Sequence, residues 1–283
     1  MTVAAHDSSI LESIQRPRSV FQRNINLVRE LSITAFKLKY TGSALGYVWS
    51  LIKPLMLFGI MYLVFSILLG AGRKAWDFPV QLLVAIVAWT FFTEATTTAM
   101  NSVAGNGDLI RKASFPRWIL VAASTTSAML TFAINTALVV IITFALGHLD
   151  LTWISLLAPL YYLELIVLVL GLSMLLSALF VFFRDLGHIW EILTLVLFYG
   201  SAVVFPFATI QQYSKKLADI AGLNPIAQII TDLRHVLIQP AKVPSMASMI
   251  GPLVIIPIVL SVGVFILGFT VFHKLTPRFA ESL

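Results

Sequence analysis

The stretch at residues 118–146 carries no charged side chain, and this constrains the chain more than any other feature. A helix needs roughly 20 apolar residues to cross the hydrocarbon core of a bilayer. Inside that core every backbone N–H and C=O must be paired within the segment, so an apolar run of this length is expected as a helix. Further apolar runs recur along the sequence and predict six spans in all, at about 44–69, 80–100, 118–146, 153–183, 189–205 and 250–272. The composition agrees: 59% of the 283 residues are hydrophobic and 11% are charged, whereas soluble domains carry about 25% charge. The expected fold class is an all-α integral membrane protein with six transmembrane helices.

Ahead of the first span the pattern differs. Residues 1–24 contain Arg16, Pro17, Arg18 and Arg23 with little apolar content, and are expected as a tail. A polar, basic start is unlike a cleavable signal peptide, so the N-terminus is expected to stay in the cytoplasm. Over residues 25–43, Val28, Leu31, Ala35 and Leu38 recur at intervals of three and four, flanked by Arg29, Lys37 and Lys39. This spacing predicts an amphipathic helix in the interface plane. Gly42 and Gly46 allow a turn into a transmembrane domain covering 44–283, with Lys53 and Pro54 near the start of the first span.

Between spans two and three lies a polar island, residues 101–118. Asp108 is expected as a helix N-cap, Leu109, Ile110 and Ala113 as one apolar face with Arg111 and Lys112 pointing elsewhere, and Pro116 as the stop. Residues 207–249 are too long for a turn and too apolar for a free loop. Asn224 followed by Pro225 gives an N-cap and an N1 proline, and Ile226, Ile229, Ile230, Leu233 and Leu237 follow at helical spacing. An amphipathic or re-entrant helix on the outer side is expected there.

Basic residues orient the chain. Arg16, Arg18, Arg23, Arg29, Lys37, Lys39, Arg111, Lys112, Arg117, Arg184, Lys274 and Arg278 fall on one side, against Arg73, Lys74, Lys215, Lys216, Arg234 and Lys242 on the other. The excess marks the cytoplasmic side and puts both termini there. The net charge of +6 suits anionic lipid headgroups and calls for no nucleic acid.

Several chemistries are excluded or weakened. No lysine follows a glycine, so no GK[ST] phosphate loop exists, and the absence of cysteine removes disulfides and thiolate metal sites. His6, His148, His188, His235 and His273 lack the spacing of a metal pair, and His148 with Asp150 is an outer-turn pair. No metal site and no catalytic residue is expected. Glu94, Glu164 and Glu191 lie in or beside spans, where a carboxylate is costly; structural hydrogen bonding is favoured over proton coupling because each lies toward an end. Trp49, Trp76, Trp118, Trp153 and Trp190 fall at span ends, as an interfacial belt does. Phe58 and Tyr62 in the first span and Phe198, Tyr199 and Phe205 in the fifth lie deeper. They are either lipid-facing or packed core, or else the lining of an aromatic translocation path able to hold sugar rings.

Four segments carry a family resemblance. LVRELSITAFKLKYTGSALGYVWSLIKPL, residues 27–55, resembles the interface helix and the start of the first span in type-2 ABC exporter permeases that move polysaccharides such as O-antigen, capsule and teichoic acid. GNGDLIRKASFPRWIL at 105–120 resembles their coupling loop, FRDLGHI at 183–189 the end of their fourth helix, and LNPIAQIITDLRHVL at 223–237 their outer gate segment. The segments keep the family's order and cover most of the chain. The resemblance implies a homodimeric permease of the cytoplasmic membrane bound to two nucleotide-binding ATPase subunits, with a lipid-linked polysaccharide as substrate. ATP and Mg would then bind the partner subunits and no cofactor this chain. It also implies a coupling role for Asp108, Leu109, Ile110, Arg111, Lys112, Phe115, Pro116 and Arg117, and a gate role for Asn224, Pro225 and Arg234. A drug or lipid exporter of the same type and a proton-coupled secondary transporter are the competing expectations.

Overall fold

The computed structural model describes residues 20–70, 77–112, 115–147, 152–238 and 241–279, and every regular element among them is helical. Expectations for residues 1–19, Arg73, Lys74, Trp76, Ala113, His148 and Asp150 lie outside the described residues.

The centre is α3, Phe78–Ala104, where an unbroken run from Leu82 to Trp89 is buried. A helix that is apolar on every side has no solvent face to keep, so it belongs inside a bundle. Two long helices flank it, α5 (Trp118–Ala145) and α6 (Ala158–Phe182), and α12 (Ile255–Leu275) packs along α6. Gly171 and Gly268 set that last crossing. A Cβ added to Gly268 would stand 1.9 Å from the Gly171 carbonyl oxygen, so the two backbones are in direct contact. Such small-residue contacts let helices associate where lipid offers no hydrophobic gain between them.

Among the described residues, five helical stretches are long and apolar enough to cross a membrane: Gly46–Leu68, Phe78–Ala104, Trp118–Ala145, Trp153–Phe182 and Met246–Arg278. The first opens with a 3₁₀ turn at Gly46–Val48, continues as α2 (Trp49–Met61) and finishes as a π-helix over Tyr62–Leu68. Gly42 ahead of it and Gly46 at its start have positive φ values of 81° and 51°, which glycine adopts without a Cβ clash.

The expected fifth span differs. Helix α7 is Leu186–Gly200, only 15 residues, and at 1.5 Å per residue it reaches about 22 Å against a core of about 30 Å. The chain leaves helical geometry beyond it, with Ala202 at φ 56°. Four short helices follow: α8 (Phe207–Tyr213), α9 (Lys215–Gly222), α10 (Pro225–Leu237) and α11 (Met246–Ile250).

At the N-terminal end, α1 is Val20–Tyr40, so residues 20–24 of the expected tail are helical. The expected stripe is only half right. Ala35 and Leu38 are exposed, and the line toward the protein is Val28, Ser32, Phe36 and Tyr40, four apart. Ser32 turns its hydroxyl onto the Val28 carbonyl at 2.6 Å, while Phe36 and Tyr40 pack with Tyr47 at ring distances of 5.3 and 5.4 Å. This face lies along α5, which gives α1 a helical partner as well as any membrane surface.

Candidate functional site

The ends of α3, α6 and α12 and the start of α5 meet around one apolar cluster, formed by residues such as Val103, Val121, Ala178, Phe272 and Phe279. Helix α4, Gly107–Lys112, is held under that cluster by Ile110, which is 7% exposed. Asn106 ties it to α3, since its side-chain amide donates to the Ser102 carbonyl at 2.7 Å while its own carbonyl accepts from Ile110 N at 3.1 Å. With Asn106 in that position Asp108 falls in the first turn rather than at the expected N-cap. Its carboxylate still suits the positive end of the helix dipole.

Consecutive helical residues point about 100° apart, and this separates the expected apolar face. Ile110 faces inward, whereas Leu109, Arg111 and Lys112 are exposed. Phe115 and Pro116 are half-buried, Phe115 against the same cluster as Ile110. Arg117 turns inward: its Nη1 donates to the Thr276 carbonyl at 3.0 Å and so joins the start of α5 to the end of α12. The loop thus divides into an anchoring set, Ile110, Phe115 and Arg117, and a projecting set, Leu109, Arg111 and Lys112. Between α4 and α1 runs a groove of about 600 Å³, walled by Arg23, Asn24, Asn26, Leu27, Glu30 and Leu31 and by Leu109 and Phe115.

Of the interface-helix cations, Arg29 and Lys37 are exposed, while Lys39 reaches α3 and pairs with Glu94 at 2.5 Å. Glu94 therefore has the structural partner expected of it. Both groups keep partial solvent contact, so the pair is worth less than about 1 kcal/mol. Glu94→Gln is expected to shift the melting temperature of the purified chain by only a few degrees; collapse of the fold would show that the carboxylate carries more than this pair.

At the opposite end the irregular chain after α7 is held by α10. Asn224 caps α10 as expected, accepting from Ile226 N at 3.0 Å, and its Nδ2 donates to Ser201 Oγ at 2.9 Å. Pro225 occupies the first turn. The expected apolar stripe Ile226, Ile229, Ile230, Leu233 and Leu237 is buried, but so is nearly every other side of this helix. It is an enclosed helix rather than a surface one. Arg234, counted above among the outer surface cations, is 2% exposed. Its Nε donates to the Gln81 carbonyl at 2.9 Å, and its two terminal nitrogens donate to the Ala202 and Val203 carbonyls at 2.7 Å each. One planar guanidinium thereby satisfies two carbonyls that the broken end of α7 leaves free and ties them to the Gln81 carbonyl of α3.

Two residues here escaped sequence reasoning. Gln228 donates to Asp232 at 2.9 Å and to Glu164 of α6 at 3.4 Å, and Asp232 in turn accepts from Met246 N at 2.7 Å. Ser261 of α12 also donates to Glu164, at 3.3 Å. The available signal was the placing of Gln228, Asp232 and Arg234 within one apolar helix. Glu164 thus has the hydrogen-bond partners expected of it, whereas the exposed Glu191 carboxylate makes no hydrogen bond with the described residues.

The deep aromatics divide. Phe198 is core, 7% exposed and edge-on to Trp89 at 5.6 Å. Phe58 and Tyr62 stack at 5.8 Å and are half-buried, and Phe205 meets Phe65, a residue not singled out above, at 5.2 Å. Tyr199 is 55% exposed. Trp190 is not part of a belt, being buried 6.0 Å from Phe92, whereas Trp153 is the exposed ring that a belt requires.

Comparison with known proteins adds a family. A family profile described as "ABC-2 type transporter" matches residues 26–238, from within α1 to the end of α10. The chain is 28% identical over 236 residues to the O-antigen export system permease protein RfbA of Myxococcus xanthus, covering 79% of this chain and 89% of that protein. It is 27% identical over 248 residues to a protein of the same name from Klebsiella pneumoniae, covering 87% and 91%.

Proposed function

Because the chain belongs to the ABC-2 type transporter family, we propose that it is the transmembrane permease subunit of an ATP-driven exporter that carries a lipid-linked polysaccharide of the O-antigen class across the cytoplasmic membrane. The observation that carries this is the match across 26–238, joined to relatives named as O-antigen export permeases along nearly their whole length.

ATP and Mg are bound by two separate ATPase subunits, which engage the groove between α1 and α4. Leu109, Arg111 and Lys112 project beside it while Ile110 holds α4 to the ends of α3 and α12, so a push on α4 passes into those helices with little slack. Phe115 contributes from the groove wall, and Pro116 and Arg117 fix the exit into α5.

In this account α7 and the enclosed segment through α10 together complete the sixth crossing, with α10 re-entrant from the outer side and Asn224, Pro225 and Arg234 as its gate. Both termini are cytoplasmic. Two copies associate through α2 with its π-helical continuation and through α7, whose apolar residues Met56, Ile60, Leu63, Ile192, Leu195 and Val196 are exposed among the described residues. Phe58, Tyr62, Tyr199 and Phe205 then border the path between the copies, and Phe198 supports them from the core. Disulfide cross-linking between two copies of Tyr199→Cys, in a chain free of native cysteine, is the expected sign of that arrangement; a strictly monomeric chain in membranes would contradict it.

The coupling assignment is tested by changing Leu109, Arg111 and Lys112 together to alanine. One apolar anchor contributes on the order of 2 kcal/mol and two exposed ion pairs less than about 1 each. Co-purification of the ATPase is expected to weaken roughly a hundredfold, the equivalent of about 3 kcal/mol, with the permease still folded. Wild-type binding and wild-type stimulation of ATP hydrolysis would remove α4 from the coupling path.

A further inference from the structure

A second groove, of about 450 Å³, runs along the other side of α1, between it and α5. Its walls are Ile25, Val28 and Ile33 from α1 and Trp118, Thr126 and Leu130 from α5, apolar apart from the Thr126 hydroxyl. Ser32 also lines it, but its hydroxyl is already bonded to the Val28 carbonyl. The walls therefore ask for an apolar occupant. Arg29 stands at the lip, exposed, four residues from both Ile25 and Ile33 and so on the same helical face.

An aliphatic slot with one cation at its mouth matches an acyl chain joined to a phosphate. The charge of α1 favours the same ligand: Arg23, Arg29, Lys37 and Lys39 stand against Glu30 alone on that helix, and among the described residues the one ion pair they make is Lys39 with Glu94. A basic residue near an anionic membrane surface contributes about 1 kcal/mol, and an indole such as Trp118 favours the headgroup level. The groove toward α4 differs in lining, with Asn24, Asn26 and Glu30 suited to a protein partner.

We propose that the α1–α5 groove holds an anionic phospholipid of the surrounding membrane, with one acyl chain between Val28, Ile33 and Leu130 and its phosphate on Arg29. The inference rests on the membrane placement of α1 given above and not on the identity of the exported molecule. A lipid seated there would fill the gap between α1 and the span beside it, and so tie the position of α1 to the lipid composition of the leaflet.

The test uses the full chain in vesicles containing brominated-acyl phosphatidylglycerol or brominated-acyl phosphatidylcholine. Quenching at Trp118 is taken as the difference between wild type and Trp118→Phe. Phosphatidylglycerol is expected to quench this component at a severalfold lower mole fraction than phosphatidylcholine. Arg29→Ala is expected to abolish the preference, Arg29→Lys to keep most of it, and Lys37→Ala, on the same helix but outside the groove, to lower it far less than Arg29→Ala does. Native mass spectrometry of the detergent-purified chain gives a second readout that does not depend on the tryptophan variant: Arg29→Ala should retain less phosphatidylglycerol. Equal quenching by both lipids, or an Arg29→Ala chain indistinguishable from wild type, overturns the proposal. Absence of Trp118 quenching by either lipid also overturns it, showing that protein covers the groove. Because none of these readouts involves the ATPase, a chain that keeps the lipid preference but shows no export would count against the proposed function alone.

Discussion

Gly268→Ala is expected to be among the most destabilising single-methyl additions in this protein, costing about 3 kcal/mol and sharply lowering the yield of folded chain. The added Cβ would lie 1.9 Å from the Gly171 carbonyl oxygen and 2.8 Å from its carbonyl carbon. No rotamer change relieves a clash between backbones, so α6 and α12 must move apart. Overpacking commonly costs 1–3 kcal/mol even where side chains can adjust, and here they cannot. Gly171→Ala should behave alike, its Cβ meeting the Phe265 backbone at 2.3 Å. Gly263 supplies the control, lying on the same helix with nothing within 4 Å of an added Cβ. Thermal unfolding of the three variants in one detergent separates the cases: if Gly263→Ala and Gly268→Ala melt together, the α6–α12 contact does not govern stability.

Arg234→Met is the second large effect, expected to cost on the order of 4 kcal/mol. Methionine has similar bulk but no donor, so the carbonyls of Gln81, Ala202 and Val203 lose their charged partner in a buried setting. Each buried polar group left unpaired costs about 1–3 kcal/mol. Arg234→Lys should recover little, because one ammonium cannot present the planar fork that reaches two carbonyls on one segment and a third on α3. Denaturant titration should show reduced stability for both variants, and proteolysis should begin near residues 201–206 before the long helices are cut. A fully stable Arg234→Met chain would show that these carbonyls find other partners.

What the sequence revealed and concealed follows from what each residue had to interact with. The long spans were legible because a bilayer-length apolar run has few alternatives to a helix, and the ends of α5 lie within a residue of the expected 118–146. The Asn224 cap and Pro225 were legible because both act within one turn. Facing was not legible, since a helix apolar all round gives no stripe to point with; α3 and α7 have similarly apolar sequences, yet one is buried and the other largely exposed. The early end of α7 depends on Arg234 and Asn224, side chains more than twenty residues further along. Arg117 shows the same limit at the other end: as a loop arginine it resembles a free cation, and only the tertiary fold brings Thr276 to it. Leu109 and Ile110, adjacent and alike, take opposite roles because α4 is anchored on one side only.

We propose above that this chain carries a polysaccharide outward at the expense of ATP hydrolysed by a partner. The most direct measurement is a paired assay of surface and intracellular polysaccharide in cells depleted of the chain and complemented with wild type or with the Leu109, Arg111 and Lys112 triple alanine variant. Depletion is expected to remove glycan from the surface while it accumulates inside, wild type to reverse both, and the triple variant to reverse neither although it reaches the membrane. Unchanged surface glycan in depleted cells, with loss instead of a small drug or simple lipid from the exported pool, would contradict it.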